Sequence, residues 1–97
     1  MGEYWFPVNL TRREYIHPHR VGNGLKLGEW WGYESNVVKL MDREWPNTDD
    51  VRAISDYGGK MRLRGSGDDP YPDYETFEDE LTDISQRSQS FEELDDS

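Results

Sequence analysis

The chain has 97 residues, with 21 Asp+Glu against 11 Lys+Arg, a net charge of -10 and 33% hydrophobic residues. That length supplies one small core, and no apolar run reaches the ~20 residues of a membrane span. With no cysteine, disulfides, thiolate chemistry and Cys-bound metal are excluded. No apolar stretch near the start reads as a secretory signal, so a cytoplasmic location without a membrane partner is expected.

The charge is divided unevenly. Residues 1–67 hold 10 basic and 9 acidic residues, whereas 68–97 hold Arg87 alone against 12 acidic ones. Of the 32 apolar residues, 25 lie in the first 67 positions. The division predicts a body over 1–67 and an acidic helix with a flexible tail over 68–97.

Tyr4, Phe6, Val8 and Leu10 alternate with Trp5, Pro7 and Asn9, the period of a half-buried strand. Pro7 lacks an N–H and places that strand at a sheet edge. Thr11-Arg12-Arg13 reads as a turn and Glu14–His17 as the returning strand, giving a hairpin over about 4–17. Adjacent Trp30 and Trp31 cannot both face inward from a strand, so one is expected on the surface. Ser35 reads as the N-cap of a helix over about 35–45, with Val37, Val38, Leu40, Met41 and Trp45 at helical spacings. Gly58-Gly59 reads as the turn of a second hairpin over about 51–64. The first arm also fits a short helix capped by Thr48 and closed by Gly58.

Gly65–Pro70 has the composition of a linker. Tyr74, Phe77, Leu81 and Ile84 follow at spacings of 3, 4 and 3, which predicts an acidic helix over about 73–84 with Asp73 as its cap. Past Ser85 the composition predicts disorder. The fold class expected from these elements is α+β.

Val8–Arg20, followed by Gly22-Asn23-Gly24-Leu25-Lys26-Leu27, resembles the N-terminus of a family of small uncharacterised bacterial and bacteriophage proteins, notably from actinobacterial phages. The family pattern reads V-N-x-x-K/R-R-E-Y/F-I/V-x-P-H-x-x-G-x-G-x-K-L. Ser55-Asp56-Tyr57-Gly58 and Asp83-Ile84-Ser85 are similar to two later family tracts, with Ser55 standing where the family has Gly. The Trp30-Trp31 segment and residues 65–80 do not follow the family. The resemblance implies an α+β fold, a strand over 51–57 and a viral or prophage setting. It implies no mechanism.

Few motifs carry chemistry. His17-Pro18-His19 has a metal-like spacing, but zinc takes three or four protein ligands and no third His exists. Neither Gly22-Asn23-Gly24 nor Gly58-Gly59-Lys60 fits a phosphate-loop pattern. No enzyme activity, cofactor, metal site or direct nucleic-acid contact is therefore expected. Arg12, Arg13, Arg20 and Lys26 read as a solvated turn or as a seat for the chain's own acidic segment.

The acidic segment and the surface tryptophan carry the functional expectation. Trp30, Trp31, Tyr74, Glu75, Phe77, Glu78, Asp79, Leu81 and Asp83 are the candidate partner-binding residues. The expected role is that of a phage accessory protein that modulates or inhibits a host protein through a basic or mixed apolar and basic surface. The alternative is an acidic imitation of nucleic acid that blocks a host defence protein.

Overall fold

A computed structural model describes residues 2–32 and 34–88. Its architecture is α+β. Five strands are Trp5–Asn9 (β1), Glu14–Tyr15 (β2), Val51–Ser55 (β3), Lys60–Arg64 (β4) and Thr82–Asp83 (β5). The helices are Leu27–Trp30 (α1), Asn36–Glu44 (α2) and Phe77–Glu80 (α3), with 3-10 turns at Pro18–Val21 and Ser85–Ser88. The sheet runs β4-β3-β1-β2-β5, antiparallel except for the parallel pair β2 and β5.

β1 and β2 form the first hairpin and β3 and β4 the second. The alternative helix over 51–57 is not formed. β1 lies at the centre of the sheet and not at its edge as Pro7 predicts. The Pro7 carbonyl accepts from Ile16 N–H at 3.1 Å, so its nitrogen faces the β2 side. The ladder there ends at Tyr15, and the missing N–H interrupts no strand pairing.

Alternation along the strands builds two cores. On one face, Val51 and Ala53 meet Val37, Leu40 and Met41 of α2, with Trp30 and Trp45 beside them. Ser35 caps α2 by accepting from Val38 N–H at 3.0 Å, and Asn23 Oδ1 takes Val37 N–H at 2.9 Å. Apolar positions spaced three and four apart place the buried side of α2 against the sheet. On the other face, Phe6, Val8, Leu10, Tyr15 and Ile54 meet Phe77 and Leu81.

The single helix expected over 73–84 is replaced by two short elements, α3 and β5. The N-cap of α3 is Thr76 and not Asp73, whose carboxylate is taken up by Glu75 N–H in the preceding turn. The helix ends after one turn, and Leu81 is already extended. Thr82 N–H then bonds to Arg13 O and Ile84 N–H to Tyr15 O, both at 3.0 Å. Glu75, Asp79 and Asp83 would repel at i, i+4 and i+8 of a longer helix, and carboxylates at its C-terminal end oppose the macrodipole. The open edge of β2 supplies better partners. As a strand, the segment also buries Leu81 on one face of the sheet and Ile84 on the other.

Part of the segment after residue 67, Thr82–Asp83, is thus built into the sheet. Ser85 is buried and its hydroxyl accepts His17 N–H at 2.7 Å. Gln86, Arg87 and Ser88, expected in the disordered stretch, continue from it as a 3-10 turn. The remainder of the expected tail, 89–97, lies outside the described residues.

Residues 65–71 cross the outer face as a strap held by arginine. Arg52 is 2% exposed and sits opposite Arg62 across β3 and β4. Asp50 takes two bonds from Arg52, at 2.8 and 2.6 Å, and one from Arg62 at 2.6 Å. Strap carbonyls complete the set. Asp69 O accepts from Arg52 at 2.6 Å, and Gly67 O accepts from both arginines at 3.1 and 2.6 Å. The Tyr71 ring stacks on Arg52 at 4.5 Å. A Cβ on Gly67 would come within 2.5 Å of Asp50 Oδ2, which explains glycine there.

Two outcomes test this architecture. Arg52→Met leaves Asp50 and the strap carbonyls short of their main donor, and should cost about 3–5 kcal/mol in urea denaturation. A fragment of residues 1–67 loses Phe77, Leu81 and Ile84 from the two cores. It should lack a cooperative unfolding transition and bind a hydrophobic dye, whereas the full chain unfolds cooperatively.

Candidate functional site: an acidic face and an adjoining cleft

Phe77, 1% exposed, and Leu81, 6% exposed, anchor α3 by pointing inward. Phe77 packs its ring 5.3 Å from Phe6 and edge-on to Tyr15 at 5.1 Å. Four residues apart, they share one side of the turn. Glu75, Glu78, Asp79 and Glu80 consequently stand exposed on the outside. Asp73 fixes the turn locally, taking Glu75 N–H on its carboxylate at 3.1 Å and Phe77 N–H on its carbonyl at 2.9 Å. Glu80 accepts from the Thr76 hydroxyl at 3.2 Å. Glu75, Glu78, Asp79 and Glu80 form no ion pair among the described residues.

The expected interaction residues divide into four groups. Tyr74, Glu75, Glu78 and Asp79 come together on this face, Tyr74 half-buried with its ring 5.8 Å from both Phe6 and Phe77. Phe77 and Leu81 belong to the core, so they are not free to contact a partner. Asp83 is ion-paired with Arg20, so the expected seat for the chain's own acidic segment exists at Arg20.

Trp30 is likewise core. It is fully buried, with its indole N–H bonded to Trp5 O at 2.9 Å. Trp31 is 38% exposed and lies on the α2 side of the sheet, away from α3. It lines a hollow of about 540 Å³ with Gly32, Val38 and Asp42. The structure therefore separates Trp31 from the acidic face, and the nine residues do not form one surface.

A second cavity, of about 440 Å³, opens between the β3–β4 turn and residues 71–75. Asp56, Lys60, Tyr71, Asp73, Tyr74 and Glu75 are among its lining residues. Asp56, Lys60 and Tyr71 escape sequence reasoning because a turn and a linker conceal them. The legible sign is Arg52 and Arg62, two like charges facing each other across the second hairpin, which require acceptors from elsewhere in the chain. Burial raises the Tyr74 hydroxyl above the ordinary tyrosine range, and the carboxylates of Asp56, Glu78 and Glu75 add to that shift.

His17 and His19 sit at the start of the 3-10 turn that follows β2. Their rings lie 5.9 Å apart, and His17 turns inward to meet Phe6 edge-on at 5.1 Å. Among the described residues no group of three His, Cys, Asp or Glu side chains converges, and no helix is long and apolar enough to cross a membrane. Comparison with protein-family models, curated proteins and solved structures finds no match to this chain.

Burial is the main cause that holds the His17 imidazole below its ordinary range; Arg20 assists, while Glu78 and Asp83 oppose. Its Nδ1 is buried with no hydrogen-bond partner among the described residues, and in the charged ring that atom becomes a donor left unsatisfied. The unfolded chain therefore binds a proton more readily than the folded one. Stability is complete above pH ~6.5 and falls as the pH drops through the ordinary histidine range toward the lowered folded value. Urea midpoints at pH 7.5 and 5.5 should differ more for the native protein than for His17→Gln. An equal pH slope in the two proteins would contradict this role.

Proposed function

We propose that this chain is a small, non-enzymatic protein-interaction module that docks the acidic surface of α3 onto a basic patch of a protein partner. The observation that carries this reading is the arrangement of Glu75, Glu78, Asp79 and Glu80. They are exposed and, among the described residues, without ion pairs, on a turn whose other side is locked into the core by Phe77 and Leu81. Carboxylates held in this way steer association and lose little conformational freedom on docking. The likeness of residues 8–27 to the phage-associated family supports a host-directed role, in which the module modulates or inhibits a host protein in the host cytoplasm.

The same anchoring favours a second reading. An imitation of nucleic acid needs its charges on a fixed face, and α3 offers such a face. In that case the partner's own nucleic-acid groove is the docking site.

Affinity capture from an actinobacterial lysate tests both readings with the full chain as bait. Beside it runs a variant carrying Glu78→Gln, Asp79→Asn and Glu80→Gln. A partner docked on α3 should be retained at low salt and released as salt rises. The variant should bind it about tenfold more weakly, the combined effect of three rim charges. Retention indifferent to salt and to the three substitutions would overturn the reading. Displacement by excess duplex DNA would identify the nucleic-acid imitation.

A further inference from the structure

We propose that the cleft between the β3–β4 turn and residues 71–75 receives an arginine side chain of the partner polypeptide. The inference rests on the docking reading above and names the chemical group that α3 presents to its neighbouring cavity.

Both walls of the cleft are fixed before anything enters. On the turn side, Tyr4 N–H bonds to the Asp56 carboxylate at 2.9 Å and Asp56 N–H to Tyr4 O at 3.1 Å. Gly59 is packed so closely that a Cβ would come within 2.6 Å of Trp5, Glu3 and Ser55 side-chain atoms. On the other side, Tyr71 is stacked on Arg52, Asp73 holds the turn into α3, and Tyr74 rests on Phe6 and Phe77. A volume of about 440 Å³ lies within the range of sites that hold ligands.

The lining selects a cation. Asp56, Asp73 and Glu75 contribute three carboxylates against the single ammonium of Lys60. Lys60 Nζ sits 6.0 Å from the centre of the Tyr71 ring and pairs with none of the three. Among the described residues no basic nitrogen lies within 4.0 Å of these carboxylates. Two tyrosine rings stand beside this uncompensated charge. A guanidinium can lie flat on such a ring while its N–H groups reach carboxylates at its edge, which an ammonium cannot do equally well. Arg52 on Tyr71, at 4.5 Å, makes the same kind of contact within the chain.

The test is a backbone-amide NMR titration of the isotope-labelled full chain with acetyl-Ala-Arg-Ala-amide. Peptides with Lys or Gln at the centre run in parallel. Saturable shifts should centre on residues 54–60 and 71–75, strongest for Arg, weaker for Lys and absent for Gln. Glu75→Gln should weaken binding about threefold. Glu34→Gln removes the same charge at an exposed position ahead of α2, outside both the cleft and the α3 face, and should leave it unchanged. Both variants alter an exposed side chain, and their unperturbed spectra verify the fold.

Equal weakening by both variants would reduce the effect to net charge and overturn the proposal. So would Gln binding as well as Arg, or the absence of saturable shifts. Shifts confined to Phe77–Glu80 would overturn the cleft and leave acidic docking on α3 standing. Failure of the docking reading itself registers separately, as lysate capture insensitive to the three α3 substitutions.

Discussion

Two arginines placed side by side on one face of a sheet set the terms for the outer half of this molecule. Arg52 and Arg62 sit opposite each other on neighbouring strands, an arrangement that is unfavourable unless acceptors surround it. Asp50 answers both. Bonds from Arg52 hold its carboxyl below the usual carboxylate range against the opposing effect of burial, with Arg62 contributing further. One carboxylate cannot satisfy two guanidinium groups, and the carbonyls of Gly67 and Asp69 supply the rest. The strap is therefore a ligand of the sheet, and its path determines where the following residues land.

From that point the placement of the acidic segment is a matter of apolar burial. Tyr71 and Tyr74 settle against the outer core, Phe77 and Leu81 fill it, and Ile84 passes to the opposite core beyond the edge of the sheet. The carboxylates between these anchors have no place inside and are turned outward. Crowding of like charge on α3 is thus a by-product of anchoring, offset by the apolar contacts beneath it. That offset allows a surface to carry unneutralised carboxylates and still hold a fixed shape.

Much of the first half of the fold was legible. The period of two in residues 4–10 and Ser35 ahead of an apolar stripe each report local preferences that the tertiary structure obeys. The second pair of strands also forms, but its connection takes in residues 56–59 and not Gly58-Gly59 alone. Pro7 misled because its consequence depends on which neighbour its nitrogen faces and on how far that neighbour extends. The segment 73–84 misled for a related reason. Spacings of 3, 4 and 3 are compatible with a helix, but they also fit a turn followed by a strand that places successive apolar residues on two faces. Only the unsatisfied edge of β2, remote in sequence, decides between them. Of the candidate site, the carboxylates were legible from composition, and the separation of Trp31 from them was not. The cleft is formed by a turn and a strap whose meeting depends on Arg52.

The parallel pairing of β5 with β2 joins residues 82–83 to residues 14–15. A contact spanning that much sequence closes late, because the loop it seals is nearly the whole described chain. On the ribosome the first hairpin, α2 and the second hairpin can all form before residue 84 has emerged. The outer core and the acidic face cannot. A nascent or prematurely ended chain would therefore expose an apolar sheet face instead of a charged one, and would meet chaperones and proteases before it met a partner. The charged surface thus becomes presentable only when synthesis has passed residue 84.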